Sequence, residues 1–433
     1  MKVIIVLLAL LISAPAFGDT LRIYHIDVEQ GDATLFVAPN GQTMLVDSGR
    51  NGHGKRIKNV MDQAGVHRID YFIDTHYHSD HYGGIDDLIK NEHVTVVRAY
   101  DRGDKNFLPS DKTTGKTYKD YFSWVGEDAL HLTRGQEIQL DSSVKVICIS
   151  SGGVVIGEDP PQHGMDENDV SISLLITFGK FKYFLGGDIE APTETKIADH
   201  DLVLDVDVYH SDHHGSNTSS TPSFMEDLHP TVIVISNGNT RQYQHPRQST
   251  LSYYSTMPGP PVVYQTNKYL AGGSLAGNVP DSFIADPETS DEDGTILITV
   301  DSDSGKYTVS YPGNSGTSFD TKSDDHSTIV IESVLPNPVG SDRDLEEVTL
   351  KNNGSETVSM VGWTLMDEGG ATWPLADAGV IQGGSSKTIQ RHGMEMSLNN
   401  GGDVITLLDA QQSTADKFSY SSSSEGVRIS TNH

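Results

Sequence analysis

Six residues, His76-Tyr77-His78-Ser79-Asp80-His81, bring three imidazoles and a carboxylate together. These are the donors that Zn²⁺ and similar divalent ions take, and Asp80 adds the negative charge a bound cation needs. Ahead of them, Ile69-Asp70-Tyr71-Phe72-Ile73-Asp74 reads as a short apolar and aromatic strand. Behind them, Gly83-Gly84 turns the chain into a helical Ile85-Asp86-Asp87-Leu88-Ile89. A donor cluster on a strand-to-helix loop sits where α/β sheets place their chemistry. The competing account is a polar surface loop rich in His, and four donors in six positions argue against it.

The same alternation of strand, donor loop and helix returns further on. Ser171–Phe178 and Tyr183–Leu185 read as a hairpin through Gly179-Lys180 that delivers Asp188, and residues 192–199 as a helix. Leu202–Tyr209 reads as a strand that delivers His213-His214; Thr231–Ser236 and Val262–Gln265 follow as strands, with a helix near Gln248–Tyr254. In the first half, Leu21–Val28, Thr34–Ala38 and Thr43–Val46 alternate as half-buried strands, and a helix is predicted over Lys55–Gln63. Tyr118–Val125 reads as a short aromatic helix, more simply a packing element than a substrate wall. Two such halves predict an αββα sandwich, closed by a hairpin of Thr295–Val300 and Tyr307–Tyr311.

Four further segments extend the donor pattern: Val28-Glu29-Gln30-Gly31-Asp32, Leu45-Val46-Asp47-Ser48-Gly49, Gly186-Gly187-Asp188 and His213-His214-Gly215-Ser216. With the HxHxDH motif, this set resembles the metallo-β-lactamase superfamily. Within it, the set is similar to the ComEC-type branch, which contains the extracellular domain of the competence DNA-uptake protein. The resemblance spans residues 20–310 and implies two metal ions that share Asp188. One would take His76, His78 and Asp188; the other Asp80, His81, Asp188 and His214. His213 adjoins His214 and could exchange roles with it, so which of the two binds stays open.

The superfamily usually carries one more histidine upstream of the bridging Asp, where this chain has Asn168. The first site would then be short of protein ligands and filled by water, substrate or the loop residue His163. Asp47 is implied to hold the ligand loop from behind, a role compatible with an Asx turn before Ser48-Gly49, and Asp32 is placed similarly. Asn237-Gly238-Asn239-Thr240-Arg241-Gln242-Tyr243-Gln244-His245-Pro246 resembles the branch's N-R-Y-G-H-P segment. That makes His245 a candidate acid or substrate contact and Arg241 a candidate phosphate contact, although a plain helix-capping loop fits the same residues. Ser216 and Ser219-Ser220 are further phosphate candidates. Zn²⁺, Mn²⁺ and Fe²⁺ all suit imidazole with carboxylate, with two Zn²⁺ or Mn²⁺ ions as the working expectation. A hydroxide bridging such a pair would attack an electrophile, with Asp80, His245 and Asp47 as the catalytic set.

At the N-terminus, Met1-Lys2, the apolar Val3–Ile12 and the small-residue Ser13-Ala14-Pro15-Ala16-Phe17-Gly18 fit a secretory signal peptide over residues 1–18. The apolar run is short for a membrane span, so an exported protein, secreted or periplasmic and without a transmembrane anchor, is predicted. The hydrolase-like domain follows over 19–312. Residues 313–327 turn to Gly, Ser, Thr, Asp and Lys and read as a flexible linker. Over 328–433, short strands at Thr328–Ser333, Glu347–Asn352, Gly362–Asp367, Ser386–Gln390 and Asp403–Leu408 predict a β-sandwich. Leu345–Asn352, Gly362-Trp363-Thr364-Leu365 and Gly402–Leu407 resemble the lamin-tail domain, which implies an immunoglobulin-like fold without catalytic residues of its own. Trp363 and Trp373 would then fill its core.

A net charge of −30 argues against broad electrostatic attraction to nucleic acid or anionic membranes, although bound cations would make the centre itself locally positive. Cys148, the one cysteine, excludes an internal disulfide and lies in the apolar run Val144–Ile149 as a buried thiol. The reading these features favour is an exported phosphodiester hydrolase, a DNA nuclease acting on single strands or short fragments. Hydrolysis of another ester, a phosphorylcholine ester or lactone, is the second. A surface-binding protein that uses its C-terminal domain and carries a structural metal is the third.

Overall fold

The computed structural model describes residues 20–103, 116–158, 165–200, 202–287, 294–322, 328–410 and 414–431. The expected signal peptide and His163 lie outside them. Strands β1 (Thr20–His25), β2 (Thr34–Val37) and β3 (Thr43–Val46) form an antiparallel meander. Helix α1 (Gly54–Ala64) then crosses to β4 (Arg68–Ile73), parallel to β3. Helix α2 (Ile85–Lys90), β5 (Thr95–Asp101), α3 (Lys116–Tyr121) and β6 (Leu130–His131) complete this flank.

The second sheet begins with β7 (Glu137–Gln139), β8 (Val144–Ser151) and β9 (Val154–Val155). It continues through the hairpin β10 (Ser173–Phe178) and β11 (Phe181–Leu185). After the turn the strands run parallel: α4 (Ala191–Asp199), β12 (Val208–His210), α5 (Pro222–Leu228), β13 (Val232–Ile235), α6 (Gln248–Thr256), β14 (Val262–Asn267) and β15 (Ile284–Asp286). The chain then returns to the first sheet with β16 (Ile296–Asp301), β17 (Lys306–Tyr311) and β18 (Asn314–Asp320), so that β16 pairs with β1.

Alternation along the strands explains why two sheets stack and helices cover both outer faces. In β8, Val144, Val146 and Cys148 enter the core between the sheets with Leu21, Ile23, Phe36 and Met44. Their neighbours Ile147 and Ile149 face outward with residues of α4 and α5. On the first sheet, Leu35 and Val37 face Ile57, Met61, Ile85 and Leu88 of α1 and α2. Each fully buried side chain of this kind contributes about 1.5–3 kcal/mol. The result is the expected αββα sandwich.

Two expectations differ. The stretch 313–327, expected to be a linker, begins with a strand: β18 pairs with β17, and Phe319 stacks on Tyr307 at 5.3 Å. Its Gly, Ser and Thr residues hide an edge strand held by backbone pairing and one aromatic contact. The strand predicted over Leu202–Tyr209 is confined to Val208–His210. Leu202, Val203 and Val206 are apolar because they pack beside α4 and α5 in a loop.

Beyond residue 328 the chain folds into a separate β-sandwich with its own core. One sheet contains Ile329–Leu335, Glu347–Asn352 and Ser386–Gln390, and a second contains Thr364–Met366, Asp403–Leu408 and Thr414–Tyr420. Trp363 and Trp373 are both buried in its centre. This domain is seated on the second sheet. Lys145 Nζ donates to Gly362 O at 2.9 Å, Ser359 Oγ donates to Leu202 O at 3.1 Å, and Val361 joins the α4/α5 core.

Candidate metal centre

The donors come from one edge of the sandwich, at the carboxyl ends of neighbouring strands. β3 leads to Asp47, β4 to His76, β11 to Asp188 and β12 to the His213-His214 pair. The β1–β2 connection adds Asp32, and the segment after β13 adds His245. Gly186 and Gly187 permit the approach of Asp188. A Cβ on Gly186 would lie 2.2 Å from the Asp212 carboxylate, and one on Gly187 2.9 Å from the Thr75 side chain.

Asp188 stands in the middle. Its Oδ2 is 3.3 Å from His81 Nε2, 3.7 Å from His76 Nε2 and 3.8 Å from His213 Nε2, and its Oδ1 is 3.7 Å from His214 Nε2. Ligand-type atoms of Asp32, His81, Asp188 and His214 lie within 4.8 Å of one another, as do those of His76, His78 and Asp188. Asp188 belongs to both groups. Asp80 stands nearer the rim, with Oδ2 3.9 Å from His214 Nε2 and 3.4 Å from Arg50 Nη2. Asp32 is the acid in the tighter group, with Oδ1 3.3 Å from His210 Nε2 and 3.7 Å from His214 Nδ1.

The far sides of the rings are anchored. Asp47, in a left-handed backbone conformation (φ 58°), accepts from Thr75 N, Thr75 Oγ1 and the Nδ1 side of His81, each at 2.8 Å. His214 Nδ1 faces Ser236 O at 3.0 Å, and His213 Nδ1 faces Glu190 Oε1 at 2.9 Å. Asn168 Nδ2 donates to the same Glu190 oxygen at 3.2 Å, while its buried Oδ1 makes no hydrogen bond among the described residues.

Burial lowers His81 and His213, yet Asp188, with Asp47 beside His81 and Glu190 beside His213, raises both. Burial pushes the Asp188 carboxyl up, yet His81, His214 and His213 together hold it well below the usual range. Burial drives His76 well below its ordinary value, and His81 and His78 push the same way, which leaves the neutral ring that ligates metal. His214 Nε2 and Asp188 Oδ1 are buried and make no hydrogen bond among the described residues. Such atoms cost about 1–3 kcal/mol each unless something meets them. A divalent cation would meet both, so these residues fit one.

The remaining candidates ring the centre. His245 is buried, 5.2 Å from His213 and 6.1 Å from His214 between ring centroids. Burial, then His214 and His213, lower its pKa to about 2, which makes it a neutral ring. Ser216 is buried and pairs with Thr218 Oγ1 at 2.8 Å, while Arg241 is exposed on the loop before His245. Two residues with a place here escaped the sequence reading. Arg50, three positions after Asp47, lies between Asp80 and the Tyr243 ring (5.5 Å) and presents a half-exposed guanidinium at the rim. Glu190, two positions after Asp188, was legible only as a polar residue before a helix.

Comparison with protein-family models agrees with this architecture. The family model described as the metallo-beta-lactamase superfamily matches residues 26–234, and that of the lamin tail domain matches residues 322–422. Recombination protein 2 of Haemophilus influenzae is 28% identical over 54% of this chain and 26% of its own length. ComE operon protein 3 of Bacillus subtilis is 25% identical over 56% of this chain and 31% of its own. The chain thus spans about a third or less of these curated relatives. Among solved structures, a beta-lactamase from Chitinophaga pinensis is similar at TM-score 0.32 and 16% identity, over 49% of this chain and 88% of that one.

Proposed function

We propose that this chain, a member of the metallo-β-lactamase superfamily in its ComEC-type branch with a lamin-tail domain behind it, hydrolyses phosphodiester bonds, with DNA as its substrate. The observation that carries the reading is the Asp188-centred cluster, in which buried imidazoles and carboxylates from both halves converge with unsatisfied donor atoms. A recombination protein among the relatives favours nucleic acid over other esters.

In this reading His76, His78 and Asp188 hold one divalent ion, and His81, His214 and Asp188 a second, with Asp32 or Asp80 as the further carboxylate. Zn²⁺ and Mn²⁺ both suit the donors. Bound there, the ions supply water activation and charge stabilisation for displacement at phosphorus. The protein's own part is positional. Asp47 fixes the His81 ring and the Thr75 turn, and Ser236 O fixes His214. Arg50 and Arg241 offer cationic contacts to a phosphate, with Ser216 nearby, and His245 offers a neutral ring nitrogen. The chain carries −30 overall, so these local cations, with the ions, would have to draw the polyanion in; single strands and short fragments fit that best.

No described helix is long and apolar enough to cross a membrane. With residues 1–18 as a signal peptide, the enzyme would act outside the cytoplasm. The test is to incubate the purified protein with linear and single-stranded DNA plus Mn²⁺ or Zn²⁺, beside a His78→Ala/Asp80→Ala variant. Cleavage by the unaltered protein that the variant and EDTA abolish is expected. Equal behaviour of the two proteins would refute the nuclease.

A further inference from the structure

We propose that His213 and His214 divide between the two ions, His213 Nε2 completing the site of His76, His78 and Asp188 while His214 Nε2 serves the other. This rests on the metal-centre reading above and assigns both members of the pair rather than one. Three observations carry it.

The first is backbone. Adjacent residues of an extended strand face opposite ways. His213 (φ 48°, ψ 46°) and His214 (φ 56°, ψ 27°) are both left-handed, a conformation that non-glycine residues adopt at a cost, and both rings turn toward Asp188. Gly215 (φ 74°) continues the turn, and its missing Cβ leaves room for Pro246, which would lie 2.8 Å away.

The second is a shared pattern of ring anchoring. His81 has Asp47 on Nδ1 and Nε2 toward Asp188; His214 has Ser236 O on Nδ1 and Nε2 toward Asp188. His213 repeats it, with Glu190 on Nδ1 at 2.9 Å and Nε2 3.8 Å from Asp188 Oδ2. A carboxylate or carbonyl on the outer nitrogen is how proteins fix the tautomer and aim of metal-binding imidazoles.

The third is distance. Donor atoms about 2.0–2.2 Å from one ion lie about 3–4 Å from each other. His213 Nε2 stands 3.8 Å from Asp188 Oδ2, the oxygen that His76 Nε2 approaches at 3.7 Å and His81 Nε2 at 3.3 Å, so this distance admits His213 as a ligand and the anchoring by Glu190 assigns its side. Asn168 turns its amide nitrogen to Glu190, the same carboxylate that holds His213, and leaves its buried Oδ1 without a hydrogen bond among the described residues. Glu190 in turn accepts from Thr218 Oγ1 at 2.8 Å, so the carboxylate that aims His213 is itself held.

The test is metal stoichiometry and affinity rather than turnover. Full-length protein is stripped with chelator, reloaded with Mn²⁺, desalted and assayed by elemental analysis, with titration against a chromophoric chelator and thermal melting of the metal-free forms as a folding control. The unaltered protein is expected to retain two ions and His213→Ala one. Glu190→Gln, which keeps the side chain's shape, is expected to weaken one of the two ions about 10–100-fold and leave the other unchanged. Two ions held with unaltered affinity by His213→Ala or by Glu190→Gln would overturn the assignment. Failure of the unaltered protein to bind any ion would instead bring down the metal-centre reading on which it rests.

Discussion

Both carboxylate oxygens of Asp47 are committed to the metal loop, one to Thr75 N and the other to Thr75 Oγ1 and His81. The side chain is therefore placed to support its neighbours rather than to ligate. Removing it frees the His81 ring to rotate and strands a buried backbone N–H. Asp47→Ala is expected to weaken metal binding about 10–100-fold, as loss of a supporting contact behind a ligand typically does. Competition with a chromophoric chelator measures this, and an unchanged affinity would show that His81 needs no such support. At this scale the sequence was legible where residue type alone restricts chemistry: His76, His78, His81, Asp188 and the His213-His214 pair all face the centre. Glu190 and Arg50 were obscure because their places depend on loops far apart in the chain meeting in space, and for the same reason Asp32, expected as a support like Asp47, stands in the tighter donor group itself.

Those meetings depend on how closely loops can pack. The β1–β2 connection crosses the metal loop at Gly31, where Asp32 N donates to Asp80 O at 3.1 Å. A Cβ on Gly31 would fall 2.4 Å from that same carbonyl oxygen, at a φ of 150°. Backbone cannot swing aside as a side chain can, so the two loops would separate. Gly31→Ala is expected to cost about 1–3 kcal/mol and to lower metal affinity with it, since Asp32 and Asp80 shift together. A melting temperature and metal content equal to the unaltered protein's would contradict the tight crossing. Elements with near-continuous apolar runs, such as β8 and β10, were readable in advance because both of their faces are buried by different layers. β18 was not, because an edge strand needs few apolar residues. Nor was the loop at Leu202–Val206, whose apolar residues suggest a strand although they pack as irregular chain.

Across the whole molecule, the C-terminal domain takes a position on the outer face of the second sheet beside the helices. Gly362 sits so close that a Cβ there would lie 3.1 Å from Ile147 Cδ1. A cavity of about 450 Å³ between the two domains is lined by Leu175, Leu202, Val361 and Trp363. The seating predicts that the C-terminal domain stabilises the sheet it covers. A chain ending at residue 322 is expected to melt below the full chain and to bind a hydrophobic dye more strongly, because Ile147 and Leu175 lose cover. Identical melting of the two forms would mean that the domains merely touch. Composition alone suggested two units joined by a loose tether, and nothing in residues 313–327 disclosed that the tether begins as a sheet strand.

All of this turns on divalent ions flanking Asp188. The most direct measurement is anomalous diffraction from crystals grown with Mn²⁺. Two peaks about 3.5–4 Å apart, on either side of the Asp188 carboxylate, are predicted. No anomalous peak within coordinating distance of Asp188 would contradict the account.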